Sequence, residues 1–230
     1  MAGHSKWANI KHRKAAQDAK RGNLFQKLVK AVIIAAKEGG GDPALNIRLK
    51  AAIDRARAAS VPNDNIMRGI KRGTGEIEGA TYEEIVYEVY GPGGVAILVE
   101  ALTDNRNRTA SEMRALLSRN GGALGESGSV AWMFERRGII SVKGAGIDEE
   151  ALMTAALDGG AEDLEQSDDG FEIYTDPSKT QEVKEALEGA GYSVERAESS
   201  MVPKNTVEVS DPDTARKVLR LMDLLEEHDD

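Results

Sequence analysis

An α+β fold, with an N-terminal three-helix module followed by two α+β lobes of ferredoxin-like type, follows from three observations. Apolar residues repeat with helical spacing as far as about residue 78. From Tyr82 the period changes to two, the mark of half-buried strands. Between Gly138 and about Pro203 the patterns run strand, helix, strand, strand, helix, strand, which is the ferredoxin-like order. The domains expected are a basic helical domain over 1–78, a discontinuous α+β domain over 79–135 plus 204–230, and an acidic α+β domain over 136–203 inserted between its two parts.

The first helix is read from Leu24, Leu28, Ala31 and Ala35, and Gly39-Gly40-Gly41 stops it. Asp42-Pro43 is an N-cap with proline at the first helical position, opening a second helix with Leu45, Leu49, Ala52, Ile53 and Ala56 on one face. Pro62 ends that helix. Asn63 or Asp64 then caps a third, which carries Ile66 and Ile70 and stops at Gly73-Thr74-Gly75. The glycines from Gly73 to Gly79 suit a link on which the helical module sits apart and swings.

Ile85, Tyr87 and Val89 alternate, Gly91-Pro92-Gly93-Gly94 turns the chain, and Val95, Ile97, Val99 and Ala101 alternate again, giving a hairpin. Thr109-Ala110-Ser111-Glu112 has the spacing of a capping box ahead of Met113, Leu116 and Leu117, and Asn120-Gly121-Gly122 closes that helix. Val130, Trp132 and Phe134 predict another strand. The inserted lobe is read as strands at Ile139–Val142, Ala161–Gln166, Phe171–Thr175 and Tyr192–Glu198, with helices at Asp148–Asp158 and Pro177–Glu188. Val207 and Val209 predict a last strand, and Asp211-Pro212 caps a helix carrying Ala215, Val218, Leu219, Met222 and Leu225.

Charge is distributed very unevenly. The first 80 residues hold sixteen Lys/Arg against seven Asp/Glu, and the remaining 150 hold fourteen against thirty-two, so a net charge of −9 conceals a basic front and an acidic back. Such a front is built to meet a polyanion. From Asp148 onward 24 acids face seven bases, a surface that phosphate repels, which serves either a basic protein partner or plain solubility. The absence of cysteine excludes disulfides, thiolate metal sites and cysteine nucleophiles. The basic start is followed by no apolar run of signal-peptide type, and Ala31–Ala36 is too short to span a bilayer, so a cytoplasmic protein with no membrane partner is expected.

The stretch from His4 to Arg21 carries six Lys/Arg, two histidines and Trp7 against one acid, Asp18. As a nucleic-acid-binding arm, Lys6, Lys11, Arg13, Lys14, Lys20 and Arg21 neutralise phosphates, with His4 and His12 beside them and Trp7 stacking on an unpaired base. The alternative is a solvated basic tail with Trp7 tucked against the bundle. Arg48, Lys50, Arg55, Arg57, Arg68, Lys71 and Arg72 widen the patch, and Lys71 and Arg72 join the candidate site. Arg106 and Arg108 form a second candidate, in a polar loop entering a helix N-terminus that favours an anion. Pairing of these arginines with Asp104 or Glu112 is the other reading.

No catalytic constellation is present. The chain lacks GxSxG and GxxxxGK[ST], and His4, His12 and His228 show no metal-ligand spacing. The run Glu165–Asp176 matches a calcium loop only in part, since Ser167 and Asp176 replace stronger ligands and Phe171–Tyr174 reads as a strand, and it is taken as a solvated face. Neither catalytic nor metal residues are assigned, and no cofactor or small-molecule substrate is expected.

The segments GHSKWANIKHRKAAQDAKRGNLFQKL, AAKEGGGDPALN, PNDNIMRGIKRGTG, YGPGGVAILVEALTDNRNRTASEMR and GGALGESGSVAWMFERRG resemble the YebC/PmpR family of probable transcriptional regulatory proteins. Ser60-Val61 and Val89 depart from the Asn-Met and Gly of the family pattern. The resemblance implies a cytoplasmic three-domain protein that regulates transcription on DNA. It equally implies a ribosome-associated translation factor on RNA, since the mitochondrial relatives look like translational activators of cytochrome c oxidase. Trp7 and the lack of a clear helix-turn-helix tilt the residue reading toward RNA. A protein-interaction adaptor without nucleic-acid contact is the alternative of another class.

Overall fold

The computed structural model describes residues 18–144, 146–167 and 170–230, with side chains from residue 22 onward. In chain order its elements begin with α1 (Asp18–Gly39), α2 (Ile47–Ala58), α3 (Asn63–Gly73), β1 (Glu83–Tyr90), β2 (Ala96–Thr103), α4 (Arg106–Arg119) and β3 (Ala123–Leu124). They continue with β4 (Phe134–Lys143), α5 (Glu149–Asp158), β5 (Asp163–Ser167), β6 (Gly170–Thr175), α6 (Thr180–Gly189), β7 (Val194–Pro203) and α7 (Pro212–Glu227). The class is α+β, with two antiparallel sheets among the described residues. Two compact units emerge: one takes the described chain through Trp132 together with Val207–Asp230, the other Met133–Thr206.

In the first unit α1, α2 and α3 bury Leu28, Val32, Leu49, Ile53, Ala56, Ile66 and Ile70 against one another. Their helical spacing is what places them on facing stripes. Gly40, at φ +86°, ends α1 in a conformation that glycine adopts without penalty. The second helix does not start at Asp42-Pro43. The Asp42 side chain accepts only the local N–H of Ala44, and α2 begins four residues after Pro43, capped by Asn46. Asn46 is buried: its side-chain oxygen accepts from Leu49 N while its amide donates to the carbonyls of Ala35 and Gly40. Those bonds to the end of α1 fix where α2 starts. Pro62, not Asn63 or Asp64, occupies the N-cap of α3, with no side-chain cap bond.

Ser60 is the one non-glycine at positive φ among the described residues, at +64°. A left-handed residue with a Cβ costs about 1–2 kcal/mol, less for Asn, whose side chain bonds locally. Ser60→Asn is therefore expected to raise unfolding stability by about 0.5 kcal/mol, read from the denaturant midpoint at unchanged slope. α1 and α3 meet at Gly69 and Gly73. A Cβ on Gly73 would stand 2.4 Å from the Ile33 carbonyl oxygen and 2.7 Å from the Ala36 Cβ. Backbone cannot yield as a side chain does, so Gly73→Ala is expected to destabilise by about 2 kcal/mol despite the better helix propensity of alanine. Urea denaturation checks this.

The hairpin β1–β2 closes through Pro92–Gly94 with Val89 opposite Ile97, and β3 pairs with β1 on its other side, giving the order β2-β1-β3. Val89, Ile97 and Ala101 are buried, as are Met113 and Leu117 of α4 and Leu221 and Leu225 of α7. Three local expectations need correction. The fourth helix opens at Asn105, whose side chain accepts from Arg108 N; Thr109 lies inside the helix, fully buried, so it is no capping box. Val130 and Trp132 are not in a strand, and Phe134 is the first residue of β4. The Glu88 carboxylate accepts backbone N–H groups of Ala131, Val130 and Gly128, which holds its pKa below the usual range and turns the chain into a 3₁₀ turn over Ala131–Met133. Val207 and Val209 lie in irregular chain, with Val207 72% exposed, because no strand edge pairs with them.

The second unit has the complete split βαβ order, with strands arranged β5-β6-β4-β7 and all pairs antiparallel. Ile140, Val142, Phe171 and Ile173 meet Leu152 of α5 and Val183 and Leu187 of α6 in its core. Asp148 caps α5 by accepting from Glu150 N and Ala151 N. The acidic strand β5 holds its place through Leu164, which is buried in the same cluster.

Candidate nucleic-acid interface

Asn65, Arg68 and Arg72 recur at three- and four-residue spacing and so share one stripe of α3. Next to that stripe, Gly69 and Gly73 let α3 approach α1 closely. Beside the crossing a cleft of about 300 Å³ opens, lined by Phe25, Gln26, Val29, Lys30 and Ile33 of α1, by Asn65, Arg68, Gly69 and Arg72 of α3, and by Tyr82. Lys30 Nζ lies 5.4 Å from the centre of the Tyr82 ring and orients it. The wall thus combines cations, two side-chain amides and two aromatic rings.

The adjoining side of α1, which shares Lys30 with the cleft, is engaged differently. Asn23, Lys27 and Lys30 donate to the carbonyls of Glu227, Glu226 and Asp229, neutralising the negative end of α7. Burial lowers the Lys27 pKa, partly offset by Glu226. At the centre, the nearly buried Asp230 carboxylate receives Lys30 Nζ at 2.9 Å, Arg108 Nη2 at 2.8 Å and the Thr109 hydroxyl at 2.8 Å. Burial alone would raise the Asp230 pKa, but these bonds outweigh it and hold the group well below the usual carboxylate range. Helical module and hairpin domain are therefore parts of one unit, and the module does not sit apart on the Gly73–Gly79 link. Arg48 adds a further tie, bridging Glu38 and Glu84.

Arg108 belongs to this clamp. Its guanidinium reaches Asp230, Asp104 at 3.0 Å and Glu112 at 3.9 Å, the pairing that was the alternative reading of its loop, so carboxylates occupy the place foreseen for phosphate. Arg106 is exposed, with Glu83 at 3.6 Å. Lys71 is exposed on α3 and Arg72 is half-buried in the cleft. Lys20 and Arg21 fall on the first turn of α1, and His4, Lys6, Trp7, Lys11, His12, Arg13 and Lys14 lie outside the described residues. Phe25 and Tyr82 were not singled out in the sequence. The available signal was the pair Gly69/Gly73 at i, i+4 beside Arg68/Arg72, which marks a close helix crossing flanked by cations. Glu112, His228 and Asp230 each bring a ligand atom to within 4.8 Å of the others. A metal there would face Lys30 and Arg108 already on Asp230, so the chemistry suits a clamp better than a cation site. No helix among the described residues is long and apolar enough to cross a membrane.

Residues 5–76 match the family model described as the TACO1/YebC protein N-terminal domain, and residues 82–230 match that of the TACO1/YebC second and third domain. A protein of Halothermothrix orenii named "Probable transcriptional regulatory protein" is 58% identical over all of this chain and 92% of its own length. A protein of Chlorobaculum tepidum, likewise named a probable transcriptional regulatory protein, is 59% identical over all of this chain and 92% of its own. Among solved structures, the crystal structure of a conserved hypothetical protein from Aquifex aeolicus superimposes with a TM-score of 0.88 at 48% identity, covering 98% of this chain and 93% of that one.

Proposed function

The chain belongs to the TACO1/YebC family, and from that premise we propose that it is a non-enzymatic regulator of gene expression that binds nucleic acid through its helical module and acts in the cytoplasm. The observation that carries this reading is the basic front, sixteen Lys/Arg against seven Asp/Glu in the first 80 residues of an otherwise acidic protein. The names borne by its relatives support a regulatory role. Affinity comes from the arm His4–Arg21, reinforced by Lys71 and Arg72, with Arg106 at the edge of the hairpin domain.

Two targets fit a polyanion-binding front: promoter DNA, in keeping with the relatives' names, and ribosomal RNA. Ultraviolet crosslinking in cells, followed by sequencing of the RNA and DNA recovered with the protein, separates them. Crosslinks focused on one ribosomal RNA locus and carried by peptides within residues 3–72 would establish a translation factor. Enrichment at a set of promoters without a ribosomal focus would establish a transcriptional regulator. Recovery of neither nucleic acid would remove the proposal in favour of a protein-interaction adaptor.

A further inference from the structure

We propose that the cleft between α1 and α3 is the seat of a single unpaired nucleotide, its base against the Phe25 and Tyr82 rings and its phosphate on Arg68 and Arg72. This deepens the nucleic-acid reading and rests on it. Four observations converge on the cleft. Its volume of about 300 Å³ is at the small end for ligand pockets, room for one nucleotide unit. Arg68 and Arg72 have no carboxylate within ion-pair distance among the described residues, whereas Lys30, Arg48 and Arg108 of the same unit are all paired with acids. Arg72 Nε is buried without a hydrogen-bond partner, an unusual state for a guanidinium. Lys30 is held by Asp230 while it lies over the Tyr82 ring, so the aromatic wall is preset rather than assembled on binding.

The chemistry selects the occupant. Two uncompensated guanidinium groups call for an anion, and two half-buried rings call for a flat apolar face. Inorganic phosphate supplies only the first and an apolar side chain only the second. A duplex presents phosphates on a convex surface and keeps its bases stacked inside, out of reach of a concave pocket. An unpaired nucleotide offers both, with Asn65 at the rim as a donor and acceptor for a base edge.

The test compares a short fluorescein-labelled oligouridylate with an RNA duplex of equal length, by fluorescence anisotropy at one fixed salt concentration. Tyr82→Leu removes a ring and no charge. It is expected to weaken the single strand about tenfold and to leave the duplex within about twofold, with an unchanged melting temperature showing the variant folded. As a second readout that needs no variant, methyl NMR signals of Val29 and Ile33, which line the cleft, are expected to shift on addition of uridine monophosphate. If Tyr82→Leu misfolds, the methyl shifts decide alone. Equal weakening on both probes, or still methyl signals, would overturn the cleft while leaving the basic arm as the contact surface. A wild-type protein that binds neither probe would overturn the RNA-binding reading itself, and the cleft with it.

Discussion

Asp230→Ala is expected to lower unfolding stability by about 3 kcal/mol, the low end for breaking a buried ion pair because the Arg108 head group remains partly solvated. The loss comes less from the missing attraction than from what is left behind. Lys30, with a side chain 11% exposed, would lose its carboxylate in a nearly dry site and keep only the Asp229 carbonyl as hydrogen-bond acceptor, and the Thr109 hydroxyl would lose the same partner. Asp230→Asn, which keeps an acceptor, is expected to lose less. The pH dependence has a definite sign. In the unfolded chain the group takes up a proton near pH 4, while in the folded protein it stays ionised to lower pH. Its contribution is thus fully present above about pH 4 and disappears as pH falls through the depressed folded value. Wild type and Asp230→Asn should therefore differ in stability at neutral pH and converge in acid. Parallel denaturation curves over the whole range would show that Asp230 is not the linked group.

Lys6, Lys11 and Lys14 replaced together by glutamate are expected to weaken nucleic-acid binding on any sequence by about a hundredfold at physiological salt, and to reduce the slope of log affinity against log salt by about two to three. Each replacement removes one phosphate contact and sets a like charge beside the backbone. An unchanged melting temperature would show that the triple variant still folds, so that the lost affinity reads contact rather than structure. Affinity equal to wild type would move the contact surface off the arm, leaving the cleft cations and Arg106 to explain any binding.

Much of this architecture is legible in the chain because local chemistry and tertiary structure agree. Asp211 caps the last helix as its place before Pro212 predicts, and the inserted unit follows its alternating and helical periods in the order read. Three of the errors share one cause: a local signal overridden by a partner from another segment of the chain. Asp42-Pro43 is a sound helix start until Asn46 finds the carbonyls of Ala35 and Gly40. Thr109-Ala110-Ser111-Glu112 spells a capping box, yet Thr109 answers to Asp230, 121 positions away. Val130, Trp132 and Phe134 alternate as a strand does, but Glu88 claims the backbone amides that a ladder would need. The candidate site is harder still, since its walls come from residues 25–33, 65–72 and Tyr82, and only the packing of α1 on α3 makes them neighbours.

The bonds between α1 and the end of α7 also set an order of events. Asn23 and the carbonyl of Glu227 are 204 positions apart, with the whole inserted unit of Met133–Thr206 between them. During synthesis the basic helices emerge early, and the inserted unit, whose strands and helices are all its own, can fold before the chain reaches α7. Closure of so long a loop is slow compared with forming local helices. A nascent chain thus carries its positive helices without the Asp230 carboxylate that later fastens α1 to α4.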